Sequence, residues 1–235
     1  MEEEKHFVTK EDAEAFGEYK KMKNLLRIKE SIACLEMDVS SLALTRAALK
    51  SACENAVRLR IHAVRVHSVY VSSAKRFLLG ECKVCALVGL GETNEKTLLY
   101  ECKQAFKEGA DEIEVFLSPF YVKNEKTALL KRIVKKIERK KKERGVCYAL
   151  PNVLSQKEEE TLVAVLKRSG ASEAFLPFDV ARIEEWKKKW ELPVKSYARS
   201  LEEARLLFAV GAGKIVTDRA EEIAEELLSE TENVF

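Results

Sequence analysis

Three short runs of this 235-residue chain place polar or charged side chains two residues apart: Arg65-Val66-His67, Glu112-Ile113-Glu114 and Lys195-Ser196-Tyr197. In a strand, that spacing puts both side chains on one face. Glu112 and Glu114 are the residue type that accepts and returns protons. Arg65 and Lys195 can hold an anion or pair with those carboxylates. Buried singly, each charge would cost on the order of several kcal/mol. The signs allow pairing of Arg65 and Lys195 with Glu112 and Glu114. Two outcomes follow: a satisfied polar network that plugs the interior, or a charged pocket at one end. His67 reads as a core histidine first and an acid-base group second, and His62 as structural. Trp186 and Trp190 share a helix face and are expected to pack inward.

The residues between those charges, Val64, Val66, Ile113, Val115 and Leu117, form apolar sets that need helices over them. Strand patterns fall at Ile32–Met37, Ala63–His67, Val84–Leu90, Glu112–Leu117, Val146–Leu150, Ala174–Phe178, Val194–Tyr197 and Lys214–Thr217. Helix patterns separate them at Leu42–Leu59, Tyr70–Leu79, Glu95–Lys107, Lys126–Lys142, Lys157–Arg168, Val180–Trp190 and Leu201–Val210, and Arg219–Leu228 closes the chain. Strict alternation argues for a parallel sheet with helical crossovers. Eight units in this length fit an α/β fold, the (β/α)8 TIM barrel. An open doubly wound sheet is the runner-up, but Met37-Asp38-Val39-Ser40-Ser41 follows the first strand in place of a glycine-rich turn. Residues 1–30 are expected to be an N-terminal helical extension, with a polar helix over about 10–30. Residues 31–235 then form one barrel domain. Ser200 with Glu203 predicts a capping box, and Ser155, Asp179 and Asp218 predict other caps.

Composition narrows the partners. Lysine plus arginine total 41 and aspartate plus glutamate 39, a net charge of +2. That balance gives no reason to expect nucleic acid or a membrane surface. The basic run Lys131 to Arg144 carries Ile133, Val134 and Ile137 at helical spacing and reads as a solvated helix face. Met1-Glu-Glu-Glu-Lys lacks the apolar core of a signal peptide. No apolar run reaches the roughly 18 residues of a membrane span. A cytoplasmic location with six reduced cysteines is the expectation. Cys82 and Cys85 form a lone C-x-x-C without the further ligands of a zinc site, so no metal is expected.

Several segments resemble the deoxyribose-phosphate aldolase family. They are Met37-Asp38-Val39-Ser40-Ser41-Leu42, Val84-Cys85-Ala86-Leu87-Val88-Gly89, Gly109-Ala110-Asp111-Glu112-Ile113-Glu114-Val115 and Val194-Lys195 with Arg199-Ser200-Leu201-Glu202-Glu203-Ala204. The likeness runs in order over most of the chain after residue 31. It implies a (β/α)8 barrel and a class I aldol reaction that needs no metal or cofactor. Family members cleave 2-deoxyribose 5-phosphate to acetaldehyde and glyceraldehyde 3-phosphate through a lysine Schiff base. They are often dimers, so the resemblance implies a homodimer, although no sequence feature decides oligomeric state.

Carried over by residue, Lys195 matches the family's second lysine, which lowers the nucleophile's pKa. Glu114 matches its catalytic aspartate, one methylene longer. Asp38 matches the acidic residue after the first strand. The position of the nucleophilic lysine falls on Phe175, or on Leu176 if the alignment slips by one, and no lysine occurs from Glu173 to Phe178. The family's fifth-strand lysine is also missing from Val146-Cys147-Tyr148-Ala149-Leu150. The double glycine that helps hold phosphate is missing from Lys195-Ser196-Tyr197-Ala198-Arg199. Arg65 stands where the family has a small or thiol side chain, so its guanidinium fills substrate space or reaches Glu114.

Three readings remain open on these residues. The first is a degenerate family member without Schiff-base chemistry, acting in binding or regulation. The second is an aldolase in which Lys195 is the amine and Arg65 the neighbouring cation. The third is another activity on a small phosphorylated or anionic metabolite, held by Arg65, Tyr197, Arg199 and Arg219.

Overall fold

The computed structural model describes residues 22–41, 43–91 and 93–232, with side chains to residue 230. Helix α1 covers 22–32, so the leading helix ends two residues later than expected, and the rest of its expected span lies outside the described residues. The order that follows is β1 (Leu35–Asp38), α2 (Arg46–Leu59), β2 (Ala63–His67), α3 (Val71–Leu78), β3 (Lys83–Val88), α4 (Glu95–Lys107), β4 (Glu112–Phe116), α5 (Phe120–Lys123) and α6 (Thr127–Lys141). Then come β5 (Gly145–Ala149), α7 (Gln156–Arg168), β6 (Glu173–Leu176), α8 (Val180–Trp190), β7 (Val194–Tyr197), α9 (Leu201–Ala209), β8 (Lys214–Thr217) and α10 (Ala220–Glu232). The strands close into a parallel barrel in chain order, β1 to β8, with β8 pairing β1. The open sheet is thereby excluded.

Period-two patterning explains the closure. Val64, Val66, Ile113, Val115, Ala174, Val194 and Ile215 are buried and face the helices. The helices return leucine and isoleucine stripes, such as Leu130, Ile133, Val134 and Ile137 on α6. Burying such side chains is worth about 1.5–3 kcal/mol each. The basic face of α6 turns to solvent, as the sequence predicts.

Local chemistry sets the ends. Ser155 and Glu158 form a complete capping box on α7, and Asp179 accepts from the Arg182 amide at the start of α8. Ser200 caps α9 by accepting from the Glu203 amide, but the Glu203 carboxylate accepts from Arg199 rather than Ser200. The predicted box there is therefore only half present. Helix α2 begins four residues later than predicted, because Thr45 supplies the cap from its side chain. The short α5 carries no periodic signal and was not predicted.

Candidate active site: an ion-paired barrel interior

Strand register decides which side chains meet. Glu36, Asp38, Arg65, Cys85, Glu112, Glu114, Cys147, Glu173, Phe175, Lys195 and Lys214 share the inward parity. Gly145 pairs with Glu112 in register, and a Cβ there would come 2.8 Å from Glu112 Cγ. Glycine at that point leaves the glutamate room inside.

Lys195 stands at the centre and is 0% exposed. Its Nζ lies 2.9 Å from Glu114 Oε2, touches Glu36 Oε2, and is 3.5 Å from Cys85 Sγ. Arg65 grips Glu114 with two hydrogen bonds, Nη2 to Oε1 at 2.6 Å and Nε to Oε2 at 3.2 Å. Its Nη1 donates to Asp38 Oδ2 at 2.9 Å. The guanidinium also lies 5.8 Å from the Phe175 ring centroid, within cation–π range. The structure thus places Arg65, Glu114, Asp38, Lys195 and Phe175 close to one another.

Glu112 does not join them as expected. It pairs instead with Lys214 at 2.6 Å, His62 at 2.9 Å and Lys83 at 3.0 Å. Lys214 also reaches Glu173 at 3.1 Å. Glu36, which lies 3.9 Å from Lys214, joins the two groups. His67 is half-buried outside this network. Burial, and then the neighbouring Asp218, raise the pKa of Tyr197. Arg219, in the turn before α10, pairs with Glu222 on that helix and donates to the Arg199 carbonyl at 3.2 Å, while the Arg199 side chain is exposed. Trp186 is buried and Trp190 half-buried, their centroids 6.4 Å apart. Among the described residues the six cysteines are unbridged, and five of them are buried.

Glu36, Glu173 and Lys214 escaped the sequence reading. Glu36 lies two residues before Asp38, and Glu173 two before Phe175, so the parity of residues already singled out would have found them. Starting β6 at Ala174 hid Glu173.

The charges set one another's protonation. Burial opposes the Lys195 cation, but Cys85, Glu36 and Glu114 outweigh it and raise its pKa well above the ordinary lysine range. Burial holds Cys85 as a thiol far above neutral pH, so the two carboxylates carry that effect. Burial would also raise Glu114, yet Lys195 and then Arg65 hold it below the usual carboxylate value. Glu112 is lowered as well: His62 and Lys214 overcome its burial. Glu173 goes the other way, since burial outweighs the attraction of Lys214 and its pKa rises.

These features define a (β/α)8 barrel whose interior is filled by paired charges. No family model matches the chain. It is 29% identical over 198 residues to the deoxyribose-phosphate aldolase of Mycoplasmoides pirum, covering 77% of this chain and 90% of that one. Its fold superposes on the aldolase QR15 with a TM-score of 0.81, at 21% identity over 87% of this chain and 98% of that one. It also superposes on the tetrameric deoxyribose phosphate aldolase of Aeropyrum pernix with a TM-score of 0.71, at 19% identity over 90% and 97% of the two chains. The chain therefore resembles the deoxyribose-phosphate aldolases in sequence and shares their barrel fold.

Proposed function

We propose that this barrel is a family member without standard Schiff-base aldolase activity, acting in binding or regulation. One observation carries the reading. The Lys195 amine is fully buried and held as a cation between Glu36 and Glu114, while Phe175 occupies the inward position beside it on β6. A Schiff base needs a free amine that can reach a carbonyl. Both carboxylates favour the protonated amine, and Arg65 and Phe175 pack against each other close by.

The test is reductive trapping. The protein is incubated with 2-deoxyribose 5-phosphate, and separately with acetaldehyde, then treated with borohydride and weighed intact. An active family member labels in parallel. The expected result is an unchanged mass. An adduct mapped to Lys195 would overturn the proposal and favour the altered aldolase, with Lys195 as amine and Glu114 moving protons.

The binding half of the reading rests on the ends of β7 and β8. There Arg219 donates to the Arg199 carbonyl while pairing with Glu222, and the two arginines are the groups that would attract a phosphorylated or anionic metabolite. A thermal-shift series with sugar phosphates tests it, and a flat response refutes it. A cytoplasmic homodimer belongs to the same reading, and the family likeness supports it. Among the described residues no helix is long and apolar enough to cross a membrane.

A further inference from the structure

Outside the barrel, α7 and α8 leave a groove of about 550 Å³ between them. Both tryptophans of the chain line it. Trp186 is 3% exposed, and its buried indole Nε1 has no hydrogen-bond partner. Trp190 is half-buried and offers a ring face. The charged lining is lopsided: Glu159, Glu160, Asp179 and Glu185 stand against Arg182 and Lys189. Arg182 pairs with Glu159 and Lys189 with Glu160, which leaves Asp179 and Glu185 as the negative excess. Asp179 caps α8, and Glu185 is exposed.

The Lys189 ammonium lies 5.2 Å from the Trp190 ring centroid and also meets Glu160. A cation therefore already fits between an indole face and a carboxylate in this groove. Lys189 and Glu160 are each about two-fifths exposed, and such surface pairs are weak. An indole face with carboxylates around it is the environment that attracts ammonium and guanidinium groups. We propose that the groove between α7 and α8 is a binding site for an organic cation, which takes the place that Lys189 now fills over Trp190. The ligand class is a compact alkylammonium or guanidinium with an apolar body, free or on the side chain of a peptide. The site is independent of the barrel interior.

The two tryptophans make the test direct, because all indole fluorescence of the chain arises in this groove. The full chain is titrated with choline, with free arginine, with a short lysine- and arginine-bearing peptide, and with sodium chloride at matched ionic strength. The uncharged isostere 3,3-dimethylbutan-1-ol is the control for shape. Saturable change with a cation, absent with the isostere and the salt, is expected; the arm that saturates lowest separates a free ligand from a peptide. Lys189→Ala removes the resident cation and should tighten binding by about two- to fivefold. Glu185→Gln should weaken it. Both positions are exposed, so folding is not at stake. Equal response to choline and its isostere, or a Lys189→Ala variant that binds no more tightly, overturns the proposal.

Discussion

Lys195 is worth most as a partner. Glu36 and Glu114 are both fully buried, and each depends on that ammonium. Replacing it with methionine keeps most of the volume, leaves Glu36 with only Lys214 at 3.9 Å, and leaves Glu114 to Arg65 alone. Lys195→Met should destabilise the fold by about 3–5 kcal/mol, read as a lowered urea midpoint. Glu173 gives the opposite sign. Its folded pKa is raised by burial, so ionising it costs the folded state more than the unfolded chain. Glu173→Gln should therefore raise the urea midpoint at pH 7, and the gain should vanish in acid below roughly pH 4.3, where both states are protonated. At this scale Arg65, Glu114 and Lys195 were legible because period two fixes their face. Their exact partners were not, since pairing across a barrel depends on strand stagger. The sequence led to Arg65 and Lys195 as the partners of Glu112, and the stagger delivered Lys214, Lys83 and His62 instead.

The elements were read more easily than the pairs. Helices α4 and α8 fall where their periodicity predicts; Asp179 supplies the expected cap of α8, and Asn94 caps α4, each accepting from the amide three residues on. Loop residues that hold the mouth carry less signal. Gly89 ends β3 with φ at +79°, and a Cβ there would meet Phe116 O at 2.5 Å and Leu98 Cδ1 at 2.7 Å. Gly89→Ala should cost about 1–3 kcal/mol, through backbone strain and overpacking together, measured by thermal or urea unfolding. On α7, Ser155→Ala removes one half of a complete capping box. Its expected cost is about 1 kcal/mol in the same assay.

Over the whole molecule the buried groups set a pH window. Glu112 and Glu114 have lowered folded pKa values, so their contribution is present above roughly pH 4.3 and is lost as the pH falls through the folded values. Buried thiols close the alkaline side first. Burial pushes Cys53 and Cys102 up to about 12 and Cys82 to about 11. The unfolded chain releases those protons from roughly pH 8.5, so stability declines above that value. Lys195 and Lys214, both raised, add their loss higher still, above roughly pH 10.4. The urea midpoint should fall steeply in acid below about pH 5 and again above about pH 8.5, with Glu173 adding a shallow decline as the pH rises from roughly 4.3 through its raised folded value. Fold class was legible at this scale because eight alternations leave few alternatives. The filling of the interior was not, because a charged inward face suits an open mouth and a closed network equally well until partners are placed.

The chain of contacts from Asp38 through Arg65, Glu114, Lys195, Glu36 and Lys214 to Glu112 also bears on descent. Whole domains are stable by only about 5–15 kcal/mol, so one orphaned interior charge consumes a large part of the margin. Mutations that neutralise a single member are therefore selected against, whatever the protein binds. The interior can drift only by paired exchanges, and a lineage that has once assembled such a lattice of charges inherits it as a block.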